Sequence, residues 1–474
     1  MGAGGERGGL SVEMKVANVT DFNYIYEVKQ TSMGYDVEKT IQFDIVSESQ
    51  LAFNYWQEES QAKKLKVLSL FSGCGGMDIG FEGGFIAPYK SIAPHPEWIA
   101  RQINEDWVRV KPTDFSMVFA NDILKEASLT WTRFMKRYGY APSIYRTESI
   151  VDLVKQHKGG VEVFPNNVDV VVGGFPCQDF SVAGKRKGFD SMRAHDGKLR
   201  TDELPTEETR GKLYYWMKEV IDITKPKIFI AENVKGLVNM GDVKNIIQTD
   251  FSHASGNGYI VLPPQVLHAG NYGVPESRER VFFIGVRKNA LKEEVAKALA
   301  NEHIPVDLYP YPRPTHNCTL NDRSLAKPVV LQDVLKLLKE PEESFDPSQR
   351  FYSRAKYMGS HCQGQKEVVM DCIGPTIRSE HHGNIEYRRL SLEHGGSHIG
   401  ELEMGLSERR LTPRECALIQ TFPPDYQFVI PRDYGWKRFI VSASGAYKVI
   451  GNAVPPVLAY HIAMRIQSLW TTYF

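Results

Sequence analysis

The sequence lacks three features that would each indicate a class of protein. No stretch approaches the roughly 20 apolar residues of a membrane-spanning helix, and the amino terminus lacks an apolar secretory core. Only 6 cysteines occur in 474 residues and none forms a Cys-x-x-Cys pair, which favours a reducing cytosol over disulfides or a metal site. Lys+Arg and Asp+Glu both number 57, so overall charge gives no support for nucleic acid. These absences predict a cytoplasmic protein with no membrane partner and no metal.

The order of sequence patterns predicts an α/β protein with several parts. Residues 1–62 are interpreted as an N-terminal extension, polar and glycine-rich at its start. Over residues 63–287 strand-like runs alternate with helical patterns, which predicts a largely parallel sheet covered on both faces. This alternation ends over residues 288–435, so we expect a smaller, irregular domain and hinge there. Residues 436–474 are expected to return to the sheet domain.

Short apolar runs and helical spacings place the main elements. Strands are expected at residues 67–71, 88–92, 117–120, 168–175, 227–231 and 281–286. Helices are expected to begin near residue 98 and to span residues 213–223, 412–419 and 455–469.

The tripeptide Pro176-Cys177-Gln178 directly follows the apolar run 168–175. A cysteine just past a strand lies where open α/β sheets bind ligands, outside the carboxyl ends of the strands. A thiol held there is a candidate nucleophile once its pKa falls below the usual value of about 8.5. Free cysteine is also among the most buried residue types. Position alone therefore leaves both a nucleophile and a core residue open.

Two further motifs follow predicted strands. A glycine-rich loop begins after residue 70 and precedes a helix, which suits close approach of an adenosyl ligand, although a plain tight turn has the same pattern. Asp122 ends a later strand, where it could accept a hydrogen bond from an amine or hydroxyl, or cap a helix.

Charged residues next to two other strands suit a polar heterocycle. Glu232 ends the run 227–231, so we expect it at the same sheet edge as Cys177, where burial would raise its pKa. If the segment before residue 281 is already extended, Arg278 and Arg280 share one face of it by period-two alternation. Either arginine alone could be an ordinary surface residue.

Taken together, six segments resemble the cytosine-C5 DNA methyltransferase family of the bacterial restriction-modification type. They occur in the family's order and read Phe71-Ser72-Gly73-Cys74-Gly75-Gly76, Gly174-Phe175-Pro176-Cys177-Gln178-Asp179-Phe180-Ser181, Glu232-Asn233-Val234-Lys235-Gly236, Asn271-Tyr272-Gly273-Val274-Pro275 with the two arginines, Arg410-Leu411-Thr412-Pro413-Arg414-Glu415, and Gly451-Asn452-Ala453-Val454-Pro455-Pro456. Each short motif alone is weak, but their joint occurrence over roughly 410 residues makes chance matching improbable.

The resemblance implies a fold and a covalent mechanism. It implies a Rossmann-like S-adenosylmethionine-dependent methyltransferase sheet domain with a smaller, irregular target-recognition domain. Cys177 would attack C6 of a cytosine flipped out of duplex DNA, and Glu232 would bind N3 and the exocyclic amine. Arg280 would hold O2, and Arg278 is the family position for further active-site support. The activated C5 would take the methyl group of S-adenosyl-L-methionine.

The resemblance also implies binding residues. The cofactor site would be lined by Phe71, Gly73, Cys74, Gly75, Gly76, Asp122, Ile123, Pro176, Leu213, Asn452 and Ala453. Glu97 with Trp98 is the best match to the acidic residue that holds the cofactor ribose, although its spacing from the glycine loop is loose. DNA would be contacted by Gln178, Ser181, Lys185, Arg186, Thr376 and Arg378.

Two alternatives stay open at this point. The first is a cytosine-C5 methyltransferase acting on transfer RNA, whose relatives share Pro-Cys-Gln but carry a Cys-Phe-Thr element that is absent here. The second is a catalytically inactive, DNA-binding regulatory relative, which would be expected to lose the thiol, the carboxyl or the glycine loop. The preferred interpretation predicts a monomer on double-stranded DNA in the bacterial nucleoid, with a companion restriction endonuclease, if there is one, acting separately.

Overall fold

A computed structural model of the protein describes residues 64–176, 213–240, 242–354, 356–359, 365–379, 385–432 and 437–474. All of them belong to the compact unit Lys63–Phe474. The N-terminal extension lies outside the described residues. So do five predicted site residues, namely Cys177, Gln178, Ser181, Lys185 and Arg186.

The strands of the described residues are numbered in chain order. They are β1 (Leu65–Leu70), β2 (Ile86–Pro88), β3 (Ile99–Gln102), β4 (Trp107–Val110), β5 (Phe115–Asn121), β6 (Tyr145–Arg146), β7 (Val170–Gly174), β8 (Ile228–Val234), β9 (Tyr259–Val261), β10 (Gln265–His268), β11 (Glu279–Arg287), β12 (Lys366–Glu367), β13 (Glu386–Arg389), β14 (Arg409–Arg410), β15 (Ile430–Pro431) and β16 (Phe439–Val441).

The α-helices of the described residues are numbered in the same way. They are α1 (Gly76–Glu82), α2 (Tyr89–Ile92), α3 (Lys125–Met135), α4 (Ile150–Lys158), α5 (Leu213–Thr224), α6 (Val243–Ser252), α7 (Ala254–Asn257), α8 (Glu293–Leu299), α9 (Leu331–Leu335), α10 (Pro347–Arg350), α11 (Ile399–Glu403), α12 (Pro413–Ile419), α13 (Ala443–Asn452) and α14 (Pro456–Tyr473). Among these residues, no helix combines the length and the apolar character needed to cross a membrane.

The central sheet has eight strands in the order β10-β11-β8-β7-β1-β5-β6, with β9 also paired to β11. The run from β8 to β6 is parallel, whereas β11 pairs antiparallel with β8, β9 and β10. Parallel strands need crossover connections, and helices lie between successive strands of this run. The predicted α/β fold with a largely parallel sheet is therefore confirmed.

Buried β-branched and aromatic residues hold the sheet. β7 consists of three valines and two glycines, and its valines are completely buried. A large apolar cluster joins β1, β7 and β8 to helices α4, α5 and α6. Helix α14, the last helix of the chain, packs against α1. A sheet buried on both faces explains why its central strands read as continuous apolar runs.

Two expected elements differ from the structure. Residues 88–92 do not form a strand of the central sheet, and residues 98–103 do not begin a helix. Instead, β2, β3 and β4 form a separate antiparallel sheet in the order β2-β4-β3. Prolines at positions 88, 94 and 96 cannot donate ladder hydrogen bonds, which disfavours a central strand there. β1 lies between β7 and β5, so β5 takes the place in the central sheet that residues 88–92 were expected to fill.

The described residues between β11 and α13 form short elements. β12, β13 and β14 form a three-stranded sheet, and β15 pairs with β16. The same part of the chain contains helices of four to seven residues such as α10, α11 and α12. The lack of long periodic runs in this sequence is consistent with such short elements.

Candidate active site

The strand register brings the predicted site residues to one edge of the sheet. Leu70, the last residue of β1, lies opposite Asn121 of β5 and Gly173 of β7. Gly174 in turn lies opposite Glu232 of β8. The segments that follow these residues therefore leave the sheet on the same side, at the carboxyl ends of the parallel strands.

Glu232 and Arg280 form a largely buried ion pair at this edge. The Arg280 Nε lies 3.0 Å from Glu232 Oε1, and only 10% of the Glu232 side chain is exposed. Burial raises the pKa of the Glu232 carboxyl, and the charges of Arg280 and Arg278 partly oppose this. A raised pKa makes this carboxyl group a better proton donor than an exposed glutamate.

Gly174 leaves the space that the Glu232 carboxyl occupies. A Cβ atom built at position 174 would lie 2.7 Å from Glu232 Oε2, closer than real Cβ atoms approach another atom. Glycine at the end of β7 therefore lets the carboxyl lie over the strand that leads to Cys177.

Asn233 fixes the backbone that leads into the Pro-Cys-Gln segment. Its Nδ2 donates to the carbonyl oxygen of Phe175 at 3.2 Å, and its Oδ1 accepts from the backbone N–H of Val234 at 2.8 Å. Asn233 is buried, and it connects β8 to the end of β7. The sequence reasoning gave Asn233 no role, although its place directly after Glu232 at a strand end was a signal.

The glycine-rich loop folds tightly between β1 and α1. Gly75 has φ 81°, and a Cβ there would lie 2.5 Å from the Trp131 ring, so a larger residue would be strained and would clash. Gly73 has φ 54°, and a Cβ atom built there would meet no atom of the described residues within 4 Å. The loop thus presents backbone to that space without side chains in front of it.

Asp122, directly after β5, is hydrogen-bonded to the glycine-rich loop. Its carboxylate accepts hydrogen bonds from the backbone N–H of Gly73 at 3.1 Å and of Leu124 at 2.9 Å. The next side chain, Ile123, is 42% exposed. A carboxylate, an exposed apolar side chain and an open glycine backbone therefore meet between β1 and β5. This combination fits the hydroxyl groups and the flat ring of an adenosyl ligand.

A buried carboxyl group in α1 supports the glycine-rich loop through a network of hydrogen bonds. Asp78, in α1, accepts hydrogen bonds from Ser69 Oγ and Trp131 Nε1, both at 2.6 Å. Burial raises the Asp78 pKa to about 6, with these hydrogen bonds opposing the rise. Ser72 Oγ joins the network by donating to Ser69 Oγ at 2.8 Å. No short motif singles out Asp78 in the sequence, so this support was not predicted.

Several predicted cofactor residues lie around this edge with differing exposure. Phe71 follows β1 with φ 52°, and Leu213 begins α5 as a buried residue. Asn452 ends α13 and is exposed, followed by buried Ala453. Pro176 is the last described residue before Cys177 and is partly buried.

The Cys74 thiol points away from the loop. It is completely buried and donates to the carbonyl oxygen of Val449 at 3.3 Å. Burial raises the pKa of this thiol. Cys74 thus attaches the loop to α13 rather than offering a reactive sulfur.

Glu97 and Trp98 lie in a short turn before β3 of the separate sheet. The Trp98 ring stacks on His95 at 3.9 Å between centroids, and Glu97 Oε1 lies 2.9 Å from His95 Nδ1. The Glu97 side chain is 61% exposed. Glu97 therefore does not end a strand of the central sheet, whereas Asp122 directly follows one.

Arg278 donates hydrogen bonds to three backbone carbonyls in two distant chain segments. Its side chain is fully buried, with Nη1 donating to Ile377 O at 3.0 Å. Its Nη2 donates to Gly451 O at 3.0 Å and to Ala453 O at 2.7 Å. These contacts make Arg278 a connector of the chain beside the site. Of the predicted DNA contacts, Thr376 and Arg378 flank Ile377 in the same connection.

Comparison with known proteins identifies the family. The profile of the C-5 cytosine-specific DNA methylase family matches residues 65–468. The chain therefore belongs to this family, as its motifs predicted, and is a DNA (cytosine-5-)-methyltransferase.

Individual relatives agree with this class. The Type II methyltransferase M.BsuRI of Bacillus subtilis is 29% identical over 416 residues, which cover 85% of this chain and 80% of that protein. The Type II methyltransferase M.BspRI of Lysinibacillus sphaericus is 30% identical over 425 residues, covering 87% and 84%. A crystal structure of the S. pombe Dnmt2 methyltransferase is 17% identical with a TM-score of 0.48, covering 86% of this chain and 99% of that chain.

Proposed function

We propose that this enzyme transfers a methyl group from S-adenosyl-L-methionine to C5 of a cytosine flipped out of a specific duplex DNA sequence. The Cys177 sulfur forms a transient bond to C6 of that base. The observation that carries this proposal is the buried Glu232–Arg280 pair, which lies in register with Gly174, three residues before Cys177.

The pair suits a pyrimidine ring. A Glu232 carboxyl with a raised pKa can donate a hydrogen bond to N3, and Arg280 beside it can hold O2. Addition of the thiolate to C6 makes C5 nucleophilic, and C5 then takes the methyl group. Loss of the C5 proton releases the sulfur and restores the aromatic ring. Flipping the base costs a few kcal/mol of unstacking and unpairing.

The cofactor would be held between β1 and β5. S-adenosyl-L-methionine supplies an electrophilic methyl group when it is bound. Gly73 and Phe71 would approach it by backbone, and Ile123 would contact its adenine. We assign the ribose hydroxyls to Asp122 rather than to Glu97, because Asp122 directly follows the central-sheet strand next to β1. Pro176, Leu213, Asn452 and Ala453 remain predicted members of this site.

The names of the relatives support a proposed partner and setting. Because the named relatives are Type II methyltransferases, we infer that this enzyme modifies double-stranded DNA as part of a restriction-modification system. A companion endonuclease would act separately, and the enzyme would act as a monomer on DNA in the bacterial cytoplasm.

Trapping the covalent intermediate tests the mechanism. Duplex DNA containing 5-fluorocytosine carries no C5 proton to lose, so with cofactor it should remain attached to the wild-type enzyme and survive denaturing electrophoresis. Cys177→Ala should form no such complex and should not methylate. Cofactor-dependent methylation by Cys177→Ala would disprove the covalent step. Glu232→Gln should slow the chemical step more than it weakens DNA binding.

Substrate class is tested on the same enzyme. Random duplex DNA is methylated and read by bisulfite sequencing, with transfer RNA as a parallel substrate. We expect methylation of cytosines in one short DNA sequence. Methylation of the transfer RNA alone would favour the RNA-modifying alternative.

A further inference from the structure

A short ladder of hydrogen bonds joins the segment before β11 to residues 374–378. The backbone N–H of Gly374 donates to Pro275 O at 2.9 Å, and that of Ser277 donates to Gly374 O at 2.8 Å. Thr376 Oγ1 adds a hydrogen bond to Ser277 O. The two segments thus run side by side in parallel. They connect the catalytic strand β11 to the predicted recognition region.

Side chains complete this ladder by holding Ile377 from both of its backbone groups. Its N–H donates to Glu276 Oε1 at 2.7 Å, and its carbonyl oxygen accepts from Arg278 at 3.0 Å. Glu276 and Arg278 are both fully buried, with Glu276 Oε1 3.5 Å from Arg278 Nη1. Two buried side chains of the segment just before β11 therefore hold a single residue of the other segment by its backbone.

The contacts of Glu276 and Arg278 with Ile377 lie close along the chain to Arg280 of the Glu232–Arg280 pair. Arg280 is the second residue of β11, and Arg278 directly precedes that strand, so only Glu279 separates the two arginines along the chain. Ile377 is flanked by Thr376 and Arg378, the two described residues with a predicted DNA contact. A shift of residues 376–378 against β11 would therefore change the distance between DNA-contacting and base-holding groups.

We propose that Glu276 is a positioning residue that, together with Arg278, fixes the DNA-contacting residues 376–378 relative to the catalytic Glu232–Arg280 pair. Through this contact Glu276 sets how strictly methylation depends on the correct DNA sequence. The inference rests on the proposed function, since it takes residues 376–378 to contact DNA. Glu276 itself touches neither base nor cofactor.

Two conservative substitutions separate this role from a simple charge-balancing role. Glu276→Gln keeps an oxygen at the same reach and can still accept from the Ile377 N–H, but it carries no charge beside Arg278. Glu276→Asp keeps the charge but is one methylene shorter, so its oxygen falls short of that N–H. Positioning predicts a defect in Glu276→Asp and near-normal behaviour in Glu276→Gln. Charge balance predicts the reverse.

The assay measures sequence fidelity, defined as kcat/KM on the cognate DNA site divided by kcat/KM on a site with one substituted base pair. The cognate site is first identified by sequencing, and kcat/KM is then measured on that site and on sites with one substituted base pair. We expect Glu276→Asp to lower the ratio of cognate to substituted kcat/KM by about tenfold, since a buried N–H loses its acceptor. Glu276→Gln should stay within about twofold, and KM for S-adenosylmethionine should not change in either. Glu279→Gln, in the exposed pair with Lys235, is the matched control and should leave the ratio unchanged.

The results of this assay distinguish a failure of the proposed function from a failure of the positioning role of Glu276. If the wild-type enzyme does not methylate DNA, the proposed function itself fails. If wild type methylates DNA and Glu276→Asp keeps the wild-type ratio, the positioning role is wrong. Should Glu276→Asp not fold, Gly374→Ala displaces the same segment, because its Cβ would lie 2.8 Å from Leu331 Cδ2 and 3.1 Å from Pro275 O. The same loss of fidelity is expected there, and an unchanged ratio overturns the inference.

Discussion

Replacing Gly174 by alanine tests how closely catalysis depends on the position of the Glu232 carboxyl. The added methyl group would lie 2.7 Å from Glu232 Oε2, whereas ordinary contact begins at 3.4 Å. Because β7 is buried and paired on both sides, the strand has little freedom to move, so the carboxyl must give way. It would move by roughly 0.7 Å to restore a normal contact.

The expected effect on rate follows from that displacement. Glu232 Oε1 lies 3.0 Å from Arg280 Nε, so a shift of this size disturbs the pair that is proposed to hold N3 and O2. A misplacement near 1 Å at a reacting group can lower a rate about 100-fold. We therefore expect Gly174→Ala to reduce the single-turnover rate of methyl transfer by about 30- to 100-fold. The affinity for S-adenosylmethionine should change little, because Gly174 is not among the proposed cofactor residues.

Single-turnover transfer of a radiolabelled methyl group, with enzyme in excess over cognate duplex, measures this step directly. Gly400→Ala is a suitable control, since a Cβ at position 400 meets no atom within 4 Å. Thermal melting of both variants separates a loss of rate from a loss of folded protein.

A double-mutant cycle decides whether the methyl group acts through Glu232. If it does, Gly174→Ala should add almost nothing to the defect of Glu232→Gln, because the carboxyl that it displaces has already been altered. Multiplicative defects in the double variant would refute this reasoning. So would a normal rate in the Gly174→Ala variant.

Two further predictions concern the cofactor site and stability. Asp122→Ala should raise KM for S-adenosylmethionine by about tenfold or more, whereas Glu97→Gln should change it by less than about twofold; similar effects of the two would contradict the assignment of the ribose to Asp122. Burial raises the pKa of Glu82 to about 7 in the folded protein, so its contribution to stability is lost as pH rises from about 4.3 through 7. Glu82→Gln keeps an acceptor for Met117 N–H and Tyr140 and should not lose this contribution. Denaturant unfolding should show the variant more stable than wild type by about 3 kcal/mol at pH 8 but equal at pH 4, and parallel pH curves would contradict the explanation.

Local patterns in the sequence were enough for five strands of the central sheet, β1, β5, β7, β8 and β11. The valines of β7 and the apolar run of β8 are continuous because both strands are buried on both faces, and such runs predict parallel strands reliably. Motif order then predicted the family. Glu232 and Arg280 were expected at one site because the family resemblance assigns both of them to the same cytosine base.

Other parts of the site depend on contacts between distant residues. The second parallel strand was expected near residue 88, but only the pairing of β1 with β5 shows that Asp122 follows the neighbouring strand. Arg278 was expected to support the active site, and its position in the motif gives no sign that it donates to three backbone carbonyls. Asp78 and Asn233 act through partners up to 58 residues away, which no short motif records.

The attachment of the glycine loop to the far end of the chain has a consequence for biosynthesis. Cys74 donates to Val449, 375 residues later, and the Cys74 carbonyl accepts from Tyr426. A nascent chain therefore exposes its glycine loop long before the ribosome has made the helices that hold it. Such high contact order slows folding and delays cofactor binding until synthesis is nearly complete. The newly made enzyme would thus gain activity in one late step rather than gradually.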